Sequence, residues 1–360
     1  MDFTLGLSRF KNIDGVSCYM ISILHILQQI PIIRNFLRHD KYISSIENKI
    51  NDNNKIDNFI IYQFSKIIKL SLESNNIRIR PNSLKELLGK KNSRWSEIEH
   101  QDSQEFYIYF ITKIEEECGQ EILHIPLLNI KNESNDINTN ILRLLALKYI
   151  HNSERKDYSQ IKKMFIGYLI SNTQCFYCQT NSPCFESFIT LSVSIPINNN
   201  NNNNNIYGLE ECLDIMIKDE QLDKYNKLNC DICGLKNQSI KKVQIWKSPQ
   251  ILVIQLKRFI IDMYGNQTSK INNPVAYPVN DFDISEYFHP SSPYKEKTIY
   301  NLVGINIHRG SLNGGHYVSI IKNNHNKKWY LFDDDKDPEE MEENEIQNRN
   351  AYLLFYYRSN

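Results

Sequence analysis

The chain has 360 residues, with 42 Lys and Arg balanced by 42 Asp and Glu, so it can bury a large core without disulfide staples and presents no overall basic field to nucleic acid or a membrane surface. No apolar run reaches the roughly 18 residues of a membrane span, and the opening MDFTLGLSRFKNIDG lacks the regions of a secretory signal. These features predict a soluble intracellular protein of the cytoplasm and/or nucleus that binds neither nucleic acid nor membrane. They leave its oligomeric state open.

In chain order, CYMISILHILQQIPIIRNFL from Cys18 carries Met20, Ile21, Ile23, Leu24, Ile26 and Leu27 at helical spacing. The pattern predicts a mostly buried helix that ends near Pro31, where the proline ring excludes a helical interior. Residues 100–117, HQDSQEFYIYFITKIEEE, predict a second helix with Phe106, Phe110, Ile111 and Ile114 as its apolar stripe. The stretch from about Asn132 to Asp157 reads as polar and then briefly helical, with no function attached. From about residue 165, segments such as CFESFITLSVSIPI, QILVIQLKRFII, HYVSIIKN, KKWYLFDDD and AYLLFYYR are rich in β-branched and aromatic residues and predict a β-rich body. Eight consecutive asparagines, 198–205, are too polar to offset their ordering entropy and predict a disordered loop insertion.

Cys18 follows Gly15-Val16-Ser17 at the expected start of a helix, where unpaired N–H groups and the helix dipole favour a thiolate. A lone cysteine is more often a small core residue, so the reading needs a partner. His316, in HRGSLNGGHYVSI, is the candidate base: it can accept a thiol proton and return it to a leaving amine. Asp333, after the strand WYLF, could reach the other imidazole nitrogen through a hairpin, with Asp334 and Asp335 as competitors. Eight cysteines include the pairs Cys175-x-x-Cys178 and Cys230-x-x-Cys233, the usual donor set of a closed, structural tetrahedral zinc site, with a redox pair as the alternative. Cys118, Cys184 and Cys212 lack that spacing and read as packing residues.

Taken in order, GVSCYMISILHILQQIP, HQDSQEF, QILVIQLKRF, HRGSLNGGHY, WYLFDDD and AYLLFYYR, with the two C-x-x-C pairs between them, resemble the ubiquitin-specific protease family from about Phe10 to Arg358. The resemblance implies an α+β, papain-like cysteine protease forming a single catalytic domain over 1–360. It implies a helical thumb at about 1–160 bearing Cys18, zinc-bearing β fingers at about 165–245, and a β-rich palm at about 246–360 bearing His316 and Asp333. It implies ubiquitin and ubiquitinated proteins as partners, structural Zn2+ as the one cofactor, and Asp102 and Glu105 as residues that hold ubiquitin's arginine-bearing tail.

One departure concerns the oxyanion donor, an asparagine that the family places five positions before the nucleophile, where this chain has Ile13. Either Asp14 is a one-residue insertion that leaves Asn12 in the role, which is the favoured reading, or the donor is absent. Val16 likewise stands where the family commonly has asparagine. The leading expectation is a deubiquitinating cysteine protease that hydrolyses the (iso)peptide bond after ubiquitin's C-terminal glycine. The alternatives are a catalytically weak ubiquitin-binding scaffold or a protease for another ubiquitin-like modifier.

Overall fold

The computed structural model describes residues 6–52, 54–73, 76–121, 134–196, 205–222, 227–261, 267–311 and 314–358. Most of the asparagine tract, 198–204, lies outside the described residues, and with it the expectation of a disordered insertion.

Before residue 166 the regular structure described is helical apart from the two-residue strands Arg9–Phe10 and Arg78–Ile79, and beyond it strands predominate, so the fold is a mixed α+β one as expected. Helix Cys18–Leu27 is buried along its whole length, which matches its apolar sequence all the way round. It stops at Leu27, and Pro31 is not its terminator but the first residue of the next helix, Pro31–Arg38. Proline suits that position because the first helical N–H has no intrahelical acceptor and proline's fixed φ is already helical.

Two sheets follow. The smaller orders its strands as Asn181–Phe188, Gly167–Cys175, Ser239–Lys247 and Glu220–Leu222. The larger runs from Glu339–Met341 through Trp329–Phe332, Gly314–Lys322, Ile299–Ser311, Ala351–Arg358 and Ile251–Lys257 to Leu191–Ser194. Its centre is covered on both faces. Along 251–256, Ile251 and Val253 join the core shared with the N-terminal helices, while Leu252, Ile254 and Leu256 join a second core that includes Leu209 and Leu213 of helix Leu209–Ile217. That two-sided burial explains why this strand reads as a continuous apolar run instead of an alternation. At its end Arg258 is fully buried and donates to the carbonyls of Ala351, Ile271 and Asn273.

Helix Cys18–Leu27 lies on the large sheet so closely that a Cβ at Gly304 would stand 2.6 Å from Ile26 Cγ2. A buried amide fastens the layers: Asn306 Nδ2 donates to Ser22 Oγ at 2.9 Å and Asn306 Oδ1 accepts from Ser103 Oγ at 2.7 Å. One side chain thus joins the sheet to two helices, Cys18–Leu27 and Ser103–Cys118, so the relative position of helix and sheet is fixed by polar as well as apolar contacts.

The segment read as briefly helical is a 20-residue helix, Ile137–Lys156. Ala146 and Ile150 pack on Tyr168, Phe185 and Trp246 at the base of the smaller sheet, while Ile137, Ile141 and Leu144 on the opposite side are exposed. Apolar residues on two faces blur the single stripe by which an amphipathic helix is recognised. Cys118 and Cys212 are buried as expected, whereas Cys184 is exposed on a strand at the sheet's edge and is no packing residue. Among the described residues no single helix is long and apolar enough to cross a membrane.

Candidate active site

Cys18 is the first residue of its helix, with its side chain buried between the helix start and the large sheet. His316 stands near the beginning of strand Gly314–Lys322, opposite Arg309 of the neighbouring strand. That strand turns back antiparallel into Trp329–Phe332, so the next residue, Asp333, arrives beside the imidazole. His316 Nε2 lies 2.6 Å from Asp333 Oδ1 and 3.9 Å from Asp334 Oδ2. The nearer aspartate is therefore the imidazole's partner, and the ring's second nitrogen is left for Cys18. Cys18 is the strongest influence on His316; with help from Asp333 and against burial, it lifts the imidazole to about 9. Burial pushes Asp333 up, but Lys336, at 2.7 Å, and His316 together hold it below the usual carboxylate value.

Asn12 does reach the nucleophile loop. Its Oδ1 accepts from the Ser17 N–H at 3.0 Å, and its Nδ2 donates to Asp334 Oδ2 at 3.1 Å. Asp334 takes a left-handed backbone, φ 49°, and its carbonyl lies 3.3 Å from Nε2 of His25, a fully buried imidazole on the Cys18 helix. His25 is flanked by the rings of Phe10 and Phe332, each 4.6 Å away between centroids. Burial holds it far down, at about 3, so it is neutral, and its Nε2 lies between the Phe10 N–H at 3.4 Å and the Asp334 carbonyl, joining the first strand to the Asp333-Asp334 turn without adding charge.

Asp102 has structural work that its sequence position did not reveal. Its Oδ1 accepts from the N–H groups of Gln104 and Glu105 at 2.7 and 3.1 Å, capping helix Ser103–Cys118, and its Oδ2 accepts from the Tyr352 hydroxyl at 2.8 Å. Burial raises its pKa, opposed by the Tyr352 hydrogen bond. Glu105 is half-exposed and pairs with Arg94. Both carboxylates line one depression with His308, Gly314, Gly315 and Tyr317, next to His316 in the chain. Gly315 is obligatory there, since a Cβ would fall 2.1 Å from His308 Nε2.

Far from this cleft, Cys175, Cys178, Cys230 and Cys233 place their sulfurs within 4.8 Å of one another, with Cys178–Cys230 at 3.6 Å and Cys175–Cys233 at 4.0 Å. A tetrahedral metal–thiolate centre with bonds of about 2.3 Å sets its sulfurs about 3.8 Å apart, so this group can hold a metal ion. The two knuckles are built alike. Gln179 N–H donates to Cys175 O and Gly234 N–H to Cys230 O, both at left-handed residues, φ 58° and 68°.

Asp14 and Lys85 at the start of the Cys18 helix, and Asp334 beside Asn12, were not singled out from sequence as working residues. Asp14-Gly15 is a turn dipeptide directly before the candidate nucleophile, and that was the available signal.

A sequence model of the family described as ubiquitin carboxyl-terminal hydrolase matches residues 9–356. Ubiquitin carboxyl-terminal hydrolase Usp2 of Drosophila melanogaster is 29% identical over 354 residues, covering 98% of this chain and 35% of that protein. Human ubiquitin carboxyl-terminal hydrolase 2 is 28% identical over 352 residues, covering 98% of this chain and 55% of its own. The chain therefore spans between about a third and a little over half of these curated relatives. Among solved structures, the SAGA Ubp8/Sgf11/Sus1/Sgf73 DUB module bound to ubiquitin aldehyde matches at a TM-score of 0.70 and 25% identity, covering 100% of this chain and 71% of that one.

Proposed function

This chain belongs to the ubiquitin carboxyl-terminal hydrolase family, and from that membership we propose that it is a thiol-dependent deubiquitinase hydrolysing the bond after the C-terminal glycine of ubiquitin. The observation that carries the reading is the imidazole of His316, held by Asp333 at 2.6 Å and raised chiefly by Cys18, which itself stands at a helix start. In this mechanism His316 takes the thiol proton and Cys18 Sγ attacks the glycine carbonyl. The tetrahedral oxyanion is met by the Cys18 N–H, which the helix leaves unpaired, and by the second N–H of Asn12. His316 then protonates the leaving amine, and water, deprotonated by the same imidazole, releases the thioester.

Asp102 and Glu105 serve the tail of ubiquitin in this proposal, Glu105 from the rim and Asp102 mainly by fixing the helix start beneath it. Residues of about 1–160, 165–245 and 246–360 act as thumb, fingers and palm of one catalytic domain. Cys175, Cys178, Cys230 and Cys233 would hold Zn2+, which supplies a cross-link between the two knuckles and no chemistry at the cleft. The fluorogenic test is hydrolysis of ubiquitin carrying a C-terminal aminocoumarin amide, wild type against Cys18→Ala. Turnover that disappears in the variant is expected; a silent wild type would overturn the hydrolase reading.

A further inference from the structure

We propose that Asp14 and Lys85 form a positioning pair that sets the oxyanion-binding loop of this chain, an inference that rests on the hydrolase reading above. Asp14 Oδ1 accepts three hydrogen bonds from the two residues before the nucleophile: Val16 N–H at 3.1 Å, Ser17 N–H at 2.9 Å and Ser17 Oγ–H at 2.6 Å. Its other oxygen lies 2.7 Å from Lys85 Nζ, and both side chains of that ion pair are largely buried, 16% and 11% exposed. Lys85 Nζ also donates to Ser17 Oγ at 2.8 Å, reaches the Tyr19 hydroxyl at 3.4 Å and lies over the Tyr19 ring.

The arrangement closes around one peptide plane. Asp14 and Asn12 both accept from the Ser17 N–H, so the amide side chain proposed to meet the oxyanion is aligned through the same atom that Asp14 fixes. The next N–H along the chain is that of Cys18, the other proposed donor. Gly15, at φ 81°, makes the tight turn that lets a carboxylate four residues before Cys18 fold back over residues 16 and 17. Lys85 comes from helix Asn82–Lys91, so the loop is anchored to the body of the protein and does not rest on local turns alone. Burial pushes the Asp14 carboxyl up, but its hydrogen bonds and the neighbouring Lys85 together hold it below its usual value, so the carboxylate stays charged through the neutral range. Neither side chain needs to touch substrate. Their effect passes through the angle at which two N–H groups meet the developing charge, and a misplacement of about 1 Å in such a site can cost about 10²-fold in rate.

The experiment compares wild type, Asp14→Ala, Asp14→Asn and Lys85→Met on ubiquitin aminocoumarin amide. Ubiquitin aldehyde, whose adduct with Cys18 carries an oxyanion-like oxygen, and plain ubiquitin serve as binding probes. Asp14→Ala is expected to lower kcat by about 10- to 100-fold with KM within about 3-fold, and to weaken ubiquitin aldehyde in step with kcat. Plain ubiquitin binding and the alkylation rate of Cys18 should stay within about 2-fold, because neither uses the oxyanion donors. Asp14→Asn, which keeps the acceptor oxygen, should recover most of the kcat lost in Asp14→Ala, and Lys85→Met should fall between the two. Equal kcat in wild type and Asp14→Ala, or parallel losses in plain ubiquitin binding and alkylation, would overturn the positioning role alone. A wild type that does not turn over the amide would overturn the hydrolase reading and this inference with it.

Discussion

Around Cys18 every residue of the helix is buried, and the site is framed by side chains from both halves of the chain: Asn12, Asp14, His316, Asp333 and Asp334. At the cysteine knuckles, Tyr177 and Ile232 are 68% and 69% exposed, and strands Leu228–Asn229 and Lys236–Asn237 pair over two residues only. A two-residue ladder by itself cannot hold together in water. Metal binding by four thiolates can contribute about 10–16 kcal/mol in small knuckle folds, far more than the few contacts seen there. The cleft is thus pre-formed by its core, while the knuckles would gain their order from a metal ion held by the four sulfurs spaced to take one. The two regions should fail separately.

The largest effect expected is from Cys18→Ala, which should take amide turnover to the uncatalysed level while the thermal midpoint moves by no more than a few degrees. A large drop in the midpoint would mean that the thiol is part of the packing. Next, Asp333→Ala should lower kcat/KM by about 10²–10⁴-fold and more than Asp334→Ala does. Steady-state kinetics would reveal a reversed ranking, which would transfer the imidazole's partner to Asp334. Cys230→Ser should open the knuckles, detected as faster protease nicking between residues 228 and 237 and a KM for the ubiquitin substrate raised several-fold. Cys18 alkylation, read on its peptide by mass spectrometry, should change less than about 2-fold in the same variant; a collapse would join the two regions.

The smallest effect concerns pH. His316 is raised from 6.5 to about 9, chiefly by Cys18 and then by Asp333 against the pull of burial. The imidazolium therefore persists to about pH 9, and kcat/KM should fall on the alkaline side near that value, with Asp333→Asn moving the limb towards neutrality. Because the folded value lies above the unfolded one, the charge contributes stability fully below about pH 6.5 and loses it progressively as pH rises to about 9. Denaturation midpoints at pH 6 and 9.5 in wild type and His316→Ala would reveal that sign, the difference between the two proteins shrinking at the higher pH.

Much of this architecture is legible in the chain because the catalytic candidates sit in short segments whose chemistry is distinctive. A cysteine at the head of an apolar helix, a histidine behind two glycines and an aspartate at the end of an aromatic strand each announce themselves, and the hairpin that joins the last two is short. The spacing of four cysteines carries the knuckles equally well. Residues that act through others are less visible. Lys85 holds Ser17 across 68 residues of sequence and His25 meets the Asp334 carbonyl across 309, and no local pattern encodes such pairs, whereas Asp14 reaches Ser17 from three residues away and its only local mark is the Asp14-Gly15 turn. Asp102 reads as a residue inside a helix over 100–117, and only the fold makes it the cap of Ser103–Cys118 and brings Tyr352 to its second oxygen. The length of helix Ile137–Lys156 is hidden in the sequence because its apolar residues serve two faces at once.

The central claim, that Cys18 is the nucleophile of a pre-formed cleft, is tested most directly with ubiquitin bearing a C-terminal electrophile, followed by peptide mapping of the adduct. The account predicts a single adduct, on Cys18, among the eight cysteines, forming with saturating probe at a similar rate before and after metal chelation. An adduct on any other cysteine, or one that forms only when the knuckles are metal-loaded, would contradict it.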